Sequence, residues 1–126
     1  MNTSKLVLIA ATSLGALAVI IGAFSAHALK TILEQNDRVG TFETASRYHF
    51  YHAIALLIVG ILFMNTPSKQ LIYSSWSFVL GILFFSGSLY ALSVTNYKIL
   101  GAVAPIGGLF LVAGWILLLW HLLRSL

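Results

Sequence analysis

All three acidic residues of this chain, Glu34, Asp37 and Glu43, fall inside one polar stretch, Lys30 to His52. The same stretch carries Lys30, Arg38, Arg47, His49 and His52, and the sequence on either side of it is mostly apolar. Long acid-free apolar runs around a single polar segment leave few folds open. The runs belong in lipid, and the polar stretch reads as the one extended segment that faces water or headgroups. Its last part, Arg47-Tyr-His-Phe-Tyr-His52, leads straight into an apolar helix.

The chain has 126 residues, of which 60% are hydrophobic and 8% charged. A soluble domain is about 25% charged. A single domain of this length leaves too much surface exposed to hide so much apolar area from water. The formal charge is +4, but Lys and Arg stand singly near helix ends. That is the pattern of interface anchors and not of a nucleic-acid patch. The sequence has no Cys, which excludes a disulfide framework, a thiolate nucleophile and Cys-ligated zinc or iron–sulfur.

Four spans are predicted, over residues 6–29, 48–64, 71–94 and 99–123, with a polar connection over 30–47. The first is about 36 Å long, enough to cross a hydrocarbon core of about 30 Å with some tilt. Lys5 and Ala26-His27-Ala28 give it some features of a cleaved signal. Its apolar run is much longer than the roughly 7–15 residues of a signal h-region, so an uncleaved membrane helix is expected. Ala11, Gly15, Ala18, Gly22, Ser25 and Ala26 fall on one stripe of that helix. Small residues let helix backbones approach in lipid, so the stripe is expected to be a packing seam. His27 lies on the opposite side, with Ala16, Ile20 and Ala23.

Thr31-x-x-Glu34 has the form of a capping box and predicts a short interfacial helix, ended by Asn36, Asp37 and Gly40. A new helix starts near Thr41, with Glu43 and Arg47 placed for an ion pair one turn apart. The apolar part of the second span is short, so Tyr48, Phe50 and Tyr51 form an aromatic belt and His52 sits within about a turn of the headgroup boundary. Pro67 and Asn96-Tyr-Lys98 mark the next two turns. Pro105 either interrupts the first turns of the fourth span or stands at its first helical position.

In a four-span hairpin chain, the end of the first helix, the start of the second, the end of the third and the start of the fourth share one leaflet. That places His27, Arg47, His52, Ser86, Ser88 and Tyr90 together as a candidate polar cluster. Pro105, Gly107 and Gly108 lie beside it and join Gly15, Ala18 and Gly22 as candidate packing positions. The opposite end offers mostly Leu, Ile, Val and Phe. An even number of spans puts both termini on one side. The basic residues divide almost evenly between the two sides, and cytoplasmic termini are expected.

Gly22-Ala-Phe-Ser-Ala-His-Ala-Leu-Lys30, Arg47-Tyr-His-Phe-Tyr-His-Ala-Ile-Ala-Leu-Leu57, Phe85-Ser-Gly-Ser-Leu-Tyr90 and Gly101-x-x-Ala-Pro-Ile-Gly-Gly108, followed by Ala113-Gly-Trp115, occur in this order. Together they closely resemble a family of small membrane proteins with no assigned reaction. It includes bacterial inner-membrane proteins and the animal transmembrane protein 256. The likeness covers nearly the whole chain. Ser25 stands where the family often has Gly, His49 where it often has Gln, and Ala104 where it often has Thr. The resemblance implies a multi-span membrane protein, no reaction, and no special role for His49.

The residues support an all-α integral membrane four-helix bundle in the plasma or inner membrane. His27, His49 and His52 do not have the spacing of a metal motif, and hydrogen-bonded or interfacial histidines fit them better. His121 beside Trp120 reads as an interface residue. The serines are expected to bond backbone carbonyls, and nothing identifies a base to activate one of them. No acid lies inside a span, which argues against a cation-coupled carrier. The expectation is therefore a non-enzymatic structural or accessory membrane component. It would use no cofactor or metal, bind no nucleic acid, and have the bilayer, a homo-oligomer or a larger membrane complex as partners. The alternative is a small-solute or lipid transporter or binder that uses the polar leaflet half.

Overall fold

A computed structural model of the chain describes residues 2–126. Its first helix, α1 (Thr3–Ser25), starts where the Asn2 side chain accepts the N–H of Lys5 over 2.8 Å. It stops where the Phe24 carbonyl receives the N–H groups of His27, Ala28 and Leu29 at once. Converging donors on one carbonyl unwind the last turn, so the helix is shorter than the predicted 6–29 and His27 falls in the turn. A one-turn helix, α2 (Lys30–Gln35), follows. No side chain caps it, and Thr31 lies within it, so the expected capping box is not formed. Asp37 then turns the chain with φ 54°, a left-handed conformation that Asp and Asn tolerate better than most residues.

The long helix α3 (Val39–Asn65) begins two residues before the start expected near Thr41, and so well ahead of the predicted span start at 48. Gly40, Glu43 and Arg47 are helical, and the non-helical part of the polar connection is correspondingly short. His52 is the fourteenth of its 27 residues (39 to 52), about 20 Å along the axis. It therefore sits near the middle of the helix, five residues beyond the exposed Arg47. Ser68 then accepts the N–H of Leu71 and opens α4 (Lys69–Gly81). A π-helical turn, Ile82–Ser86, carries it into α5 (Gly87–Thr95) as one rod. Asn96, with φ 59°, ends that rod in a left-handed cap.

The fourth span is α6 (Leu100–Ser125), and Pro105 lies inside it. Its opening bonds, Leu100 to Tyr97, Gly101 to Lys98 and Ala102 to Ile99, run three residues back in the tighter 3₁₀ manner. Of the two placements open in the sequence, the helix thus starts before the proline.

Four helices are long and apolar enough to cross a membrane, and no strand occurs among the described residues. The bundle goes up and down, with α1 against α3, α3 against the third span and the third span against α6. The middle spans are the most buried, and the core draws on all four, with Val7 and Ala11 of α1, Leu56 and Val59 of α3, Leu71 and Phe78 of α4, and Leu111 and Leu118 of α6. The buried residues of α6 are Ala104, Gly107, Leu111, Gly114, Leu118 and His121. Their alternating spacing of three and four is a coiled-coil seam. Opposite it, Gly81 leaves room for Leu111, and Gly114 for Phe78, at positions where a Cβ would overlap the neighbour.

Candidate functional site

The polar groups of the membrane layer gather where α3 meets the third span. Ser86, fully buried in the π-turn, donates its hydroxyl to the Ala45 carbonyl of α3 over 2.8 Å. The widened turn comes so close to α6 that a Cβ on Gly107 would overlap the backbone of Phe84 and Phe85. Only a residue without a side chain fits there. Gly108 next to it has ordinary room, 3.7 Å to the Phe85 ring, and Pro105 faces outward. Of the three positions expected to pack there, Gly107 makes the close approach.

His52 is buried and has both ring nitrogens engaged. Nδ1 lies 2.6 Å from the Tyr48 carbonyl, and Nε2 lies 3.0 Å from the indole Nε1 of Trp115 on α6. A carbonyl only accepts and an indole N–H only donates. His52 is therefore the neutral tautomer that carries its proton on Nδ1. Phe78 and Trp115 pack around it, with their ring centroids 5.4 Å apart in an edge-to-face pair. The ring faces the bundle as expected, but its partners are its own helix and the fourth span, not the first or third.

It is His49 that reaches the third span. Its Nδ1 meets the Tyr90 hydroxyl at 2.8 Å, while Nε2 is buried with no hydrogen-bond partner. The Leu14 backbone of α1 faces the ring without reaching hydrogen-bond geometry. Ser46 lies near the Tyr90 hydroxyl. His49 stands three residues nearer the start of α3 than His52 and is buried as well. With α3 starting at Val39, its eleventh residue (39 to 49) already lies inside the bundle.

The remaining candidates separate. Ser88 donates to the Phe84 and Phe85 carbonyls of its own helix. His27 and Arg47 are exposed and belong to no cluster, because α1 unwinds before His27 and Arg47 projects from the outer face of α3. Arg47 lines surface crevices between α1 and α3, one of which also includes Gly22, Ser25, Glu43 and Ser46. On the α1 stripe, Ala11 and Ala18 are buried, a Cβ on Gly22 would meet Ser46 at 3.6 Å, and one on Gly15 would meet nothing. The seam is real at the alanines and slack at Gly15. Its tightest approach comes from α3, where a Cβ on Gly60 would overlap Leu8.

The end bearing the termini is not purely apolar. His121 is 4% exposed and joins two hydroxyls of the turn between α3 and α4, with Ser68 at 2.7 Å from Nδ1 and Thr66 at 3.1 Å from Nε2. The Thr66 hydroxyl already donates to the Leu62 carbonyl, so it accepts from Nε2–H, and Ser68 donates to Nδ1. His121 is a buried clamp at the end of the bundle. The signal was its place in the three–four spacing of α6, seven residues after Gly114. On the connection side, Asn36 donates to the Ser93 and Val94 carbonyls, and Arg38 to the Asn96 side chain. These bonds fasten α2 over the exposed end of α5. Among the described residues, no three His, Asp or Glu side chains come together to hold a metal ion.

This arrangement can be set beside known proteins. A family model described as a protein of unknown function (DUF423) matches residues 21–108. The chain belongs to this family. The matched DUF423 segment runs from the end of α1 through the π-turn to Gly107 and Gly108. Among curated relatives, a UPF0382 membrane protein of Staphylococcus haemolyticus is 43% identical over 78% of this chain and 79% of its own length. The UPF0382 membrane protein YwdK of Bacillus subtilis is 39% identical over 81% of this chain and 83% of its own. No solved structure matches the chain. These bacterial relatives and the four spans agree with the resemblance drawn from the sequence: the chain is a multi-pass integral membrane protein of a family without an assigned function.

Proposed function

We propose that this DUF423 protein is a non-enzymatic structural or accessory component of its membrane, acting through helix–helix contacts in a homo-oligomer or a larger membrane complex. The observation that carries this reading is where the polar groups point. Ser86, Ser88, Tyr90 and His52 bond to helix backbone or to other side chains. The crevices on the connection side are lined by Ser46, Arg47, Glu43 and their neighbours, and by none of those four. Groups that hold a bundle together in this way are not aimed at a passing solute. Hence the polar half supports packing better than transport. The stripe of α1 is covered by α3 at Ala11 and Ala18, so the surfaces left for a partner are the outer faces of α1 and α6. Extraction in a mild detergent, with light scattering and identification of co-purifying chains, tests this. A particle holding several copies or further subunits is expected. A strictly monomeric chain that carries a neutral solute into liposomes overturns it in favour of transport.

A further inference from the structure

The bundle wall is open between α1 and α4, because the packing partner of α1 is α3. The opening is a cavity of about 340 Å³ walled by Leu6, Val7 and Ala10 of α1, Leu56 of α3, and Trp76 and Val79 of α4. Its lining is almost wholly apolar, and the hydroxyl of Ser75 there is bonded to the Leu71 carbonyl of its own helix. On α4, Lys69, Ile72, Trp76 and Val79 are spaced three, four and three, so they share one helix face. The cavity thus runs about 10 Å along α4, from Ile72 to Val79, and Lys69 stands one turn beyond Ile72, toward the end that bears the termini. Thr3, at the start of α1, marks the same end on the other wall. Lys5, Lys69 and Arg124 stand at this end of the bundle, and all three acids stand at the other.

Water gains nothing in so apolar a space. Left empty, the lining loses its dispersion contacts on one side. A single hydrocarbon chain suits so apolar a groove, and a negative headgroup suits the basic residues at this end of the bundle. We propose that this groove holds one acyl chain of an anionic phospholipid from the leaflet that contains the termini, with the lipid phosphate at Lys69.

Native mass spectrometry of the full chain, released from micelles with phosphatidylglycerol or phosphatidylcholine of identical acyl chains, tests the proposal. One phosphatidylglycerol is expected to stay on each chain, preferred about fivefold over phosphatidylcholine, the scale set by one basic side chain near an anionic lipid. Lys69→Gln should abolish the preference. Ala10→Phe and Val79→Trp, which fill the groove from opposite walls, should abolish retention of both lipids while the helical circular dichroism stays unchanged. In the unaltered chain, phosphatidylglycerol brominated on one acyl chain should quench, saturably at one lipid per chain, the fluorescence component that Trp76→Phe removes. Equal retention of the two lipids, retention that survives in a folded groove-filled variant, a second copy of the chain bound in place of lipid, or the absence of saturable quenching each overturns it.

Discussion

Trp115 and His52 join α6 and α3, two spans that otherwise meet through the third span rather than on one another, by an indole-to-imidazole bond of 3.0 Å. Trp115→Phe keeps most of the ring but leaves the buried Nε2 of His52 without a donor. The loss of such a bond in a membrane protein costs about 1 kcal/mol. Trp120, on the outer face of the same helix, is the control. Trp115→Phe should lower unfolding stability by about that amount and Trp120→Phe by much less. Nitrogen NMR should show the His52 Nε2 resonance moving in the first variant only.

Gly107 meets backbone, and backbone at the centre of a helix cannot step aside as a side chain can. Gly107→Ala should cost about 3 kcal/mol, the upper end of overpacking penalties. Gly108→Ala and Gly15→Ala, where a Cβ has ordinary room or none to displace, should lie within about 0.5 kcal/mol of the parent. Thermal denaturation in one detergent, run on all three, checks the ranking. Equal behaviour of Gly107→Ala and Gly108→Ala would mean that the π-turn does not press on α6.

Ser68 does two jobs, accepting the Leu71 N–H at 3.2 Å and meeting His121 at 2.7 Å. Ser68→Ala therefore removes both a helix cap and one side of a buried imidazole network. The cap alone is worth about 1 kcal/mol, and a stranded imidazole nitrogen adds about 1 kcal/mol more. A fall of about 2 kcal/mol is expected, against about 1 kcal/mol for Thr66→Val, which strands only Nε2. Chemical denaturation of the two variants measures the difference.

The four-helix architecture was legible because apolar run length and the position of the acids decide it before any packing detail. The ends of the helices were not. Leu6 to Leu29 is uniformly apolar, and what ends α1 at Ser25 is a convergence of backbone donors on Phe24, which leaves no compositional trace. The partners on the second span were not legible either: His49 meets Tyr90 and His52 meets Trp115, a choice that spacing along one helix does not reveal. The π-turn at Ile82–Ser86 was invisible for a related reason: Ser86 and Gly87 are as ordinary in an α-helix as in a bulge. Gly107 was singled out on size alone, whereas Gly60, Gly81 and Gly114 were missed. The three–four spacing from Ala104 to His121 held the information needed for Gly114 and for the His121 clamp.

The family resemblance implies Gln at the position of His49, and the geometry is compatible with that exchange. The imidazole uses one nitrogen, Nδ1, on Tyr90 and leaves the other buried without a partner. A glutamine amide offers an acceptor for the Tyr90 hydroxyl on a flexible side chain. Its NH₂ can turn toward a backbone carbonyl, which the rigid ring does not reach. A buried polar atom without a partner costs about 1–3 kcal/mol. His49→Gln should therefore be neutral or stabilise by up to about 1 kcal/mol. His49→Leu removes the cross-helix partner of Tyr90 and should destabilise by about 1 kcal/mol, and Tyr90→Phe combined with His49→Leu should add little beyond it. A double-mutant cycle on unfolding free energy gives all three values. If His49→Gln proves as damaging as His49→Leu, the ring itself is required, and the Nε2 atom has a partner in the membrane that the folded chain alone does not provide.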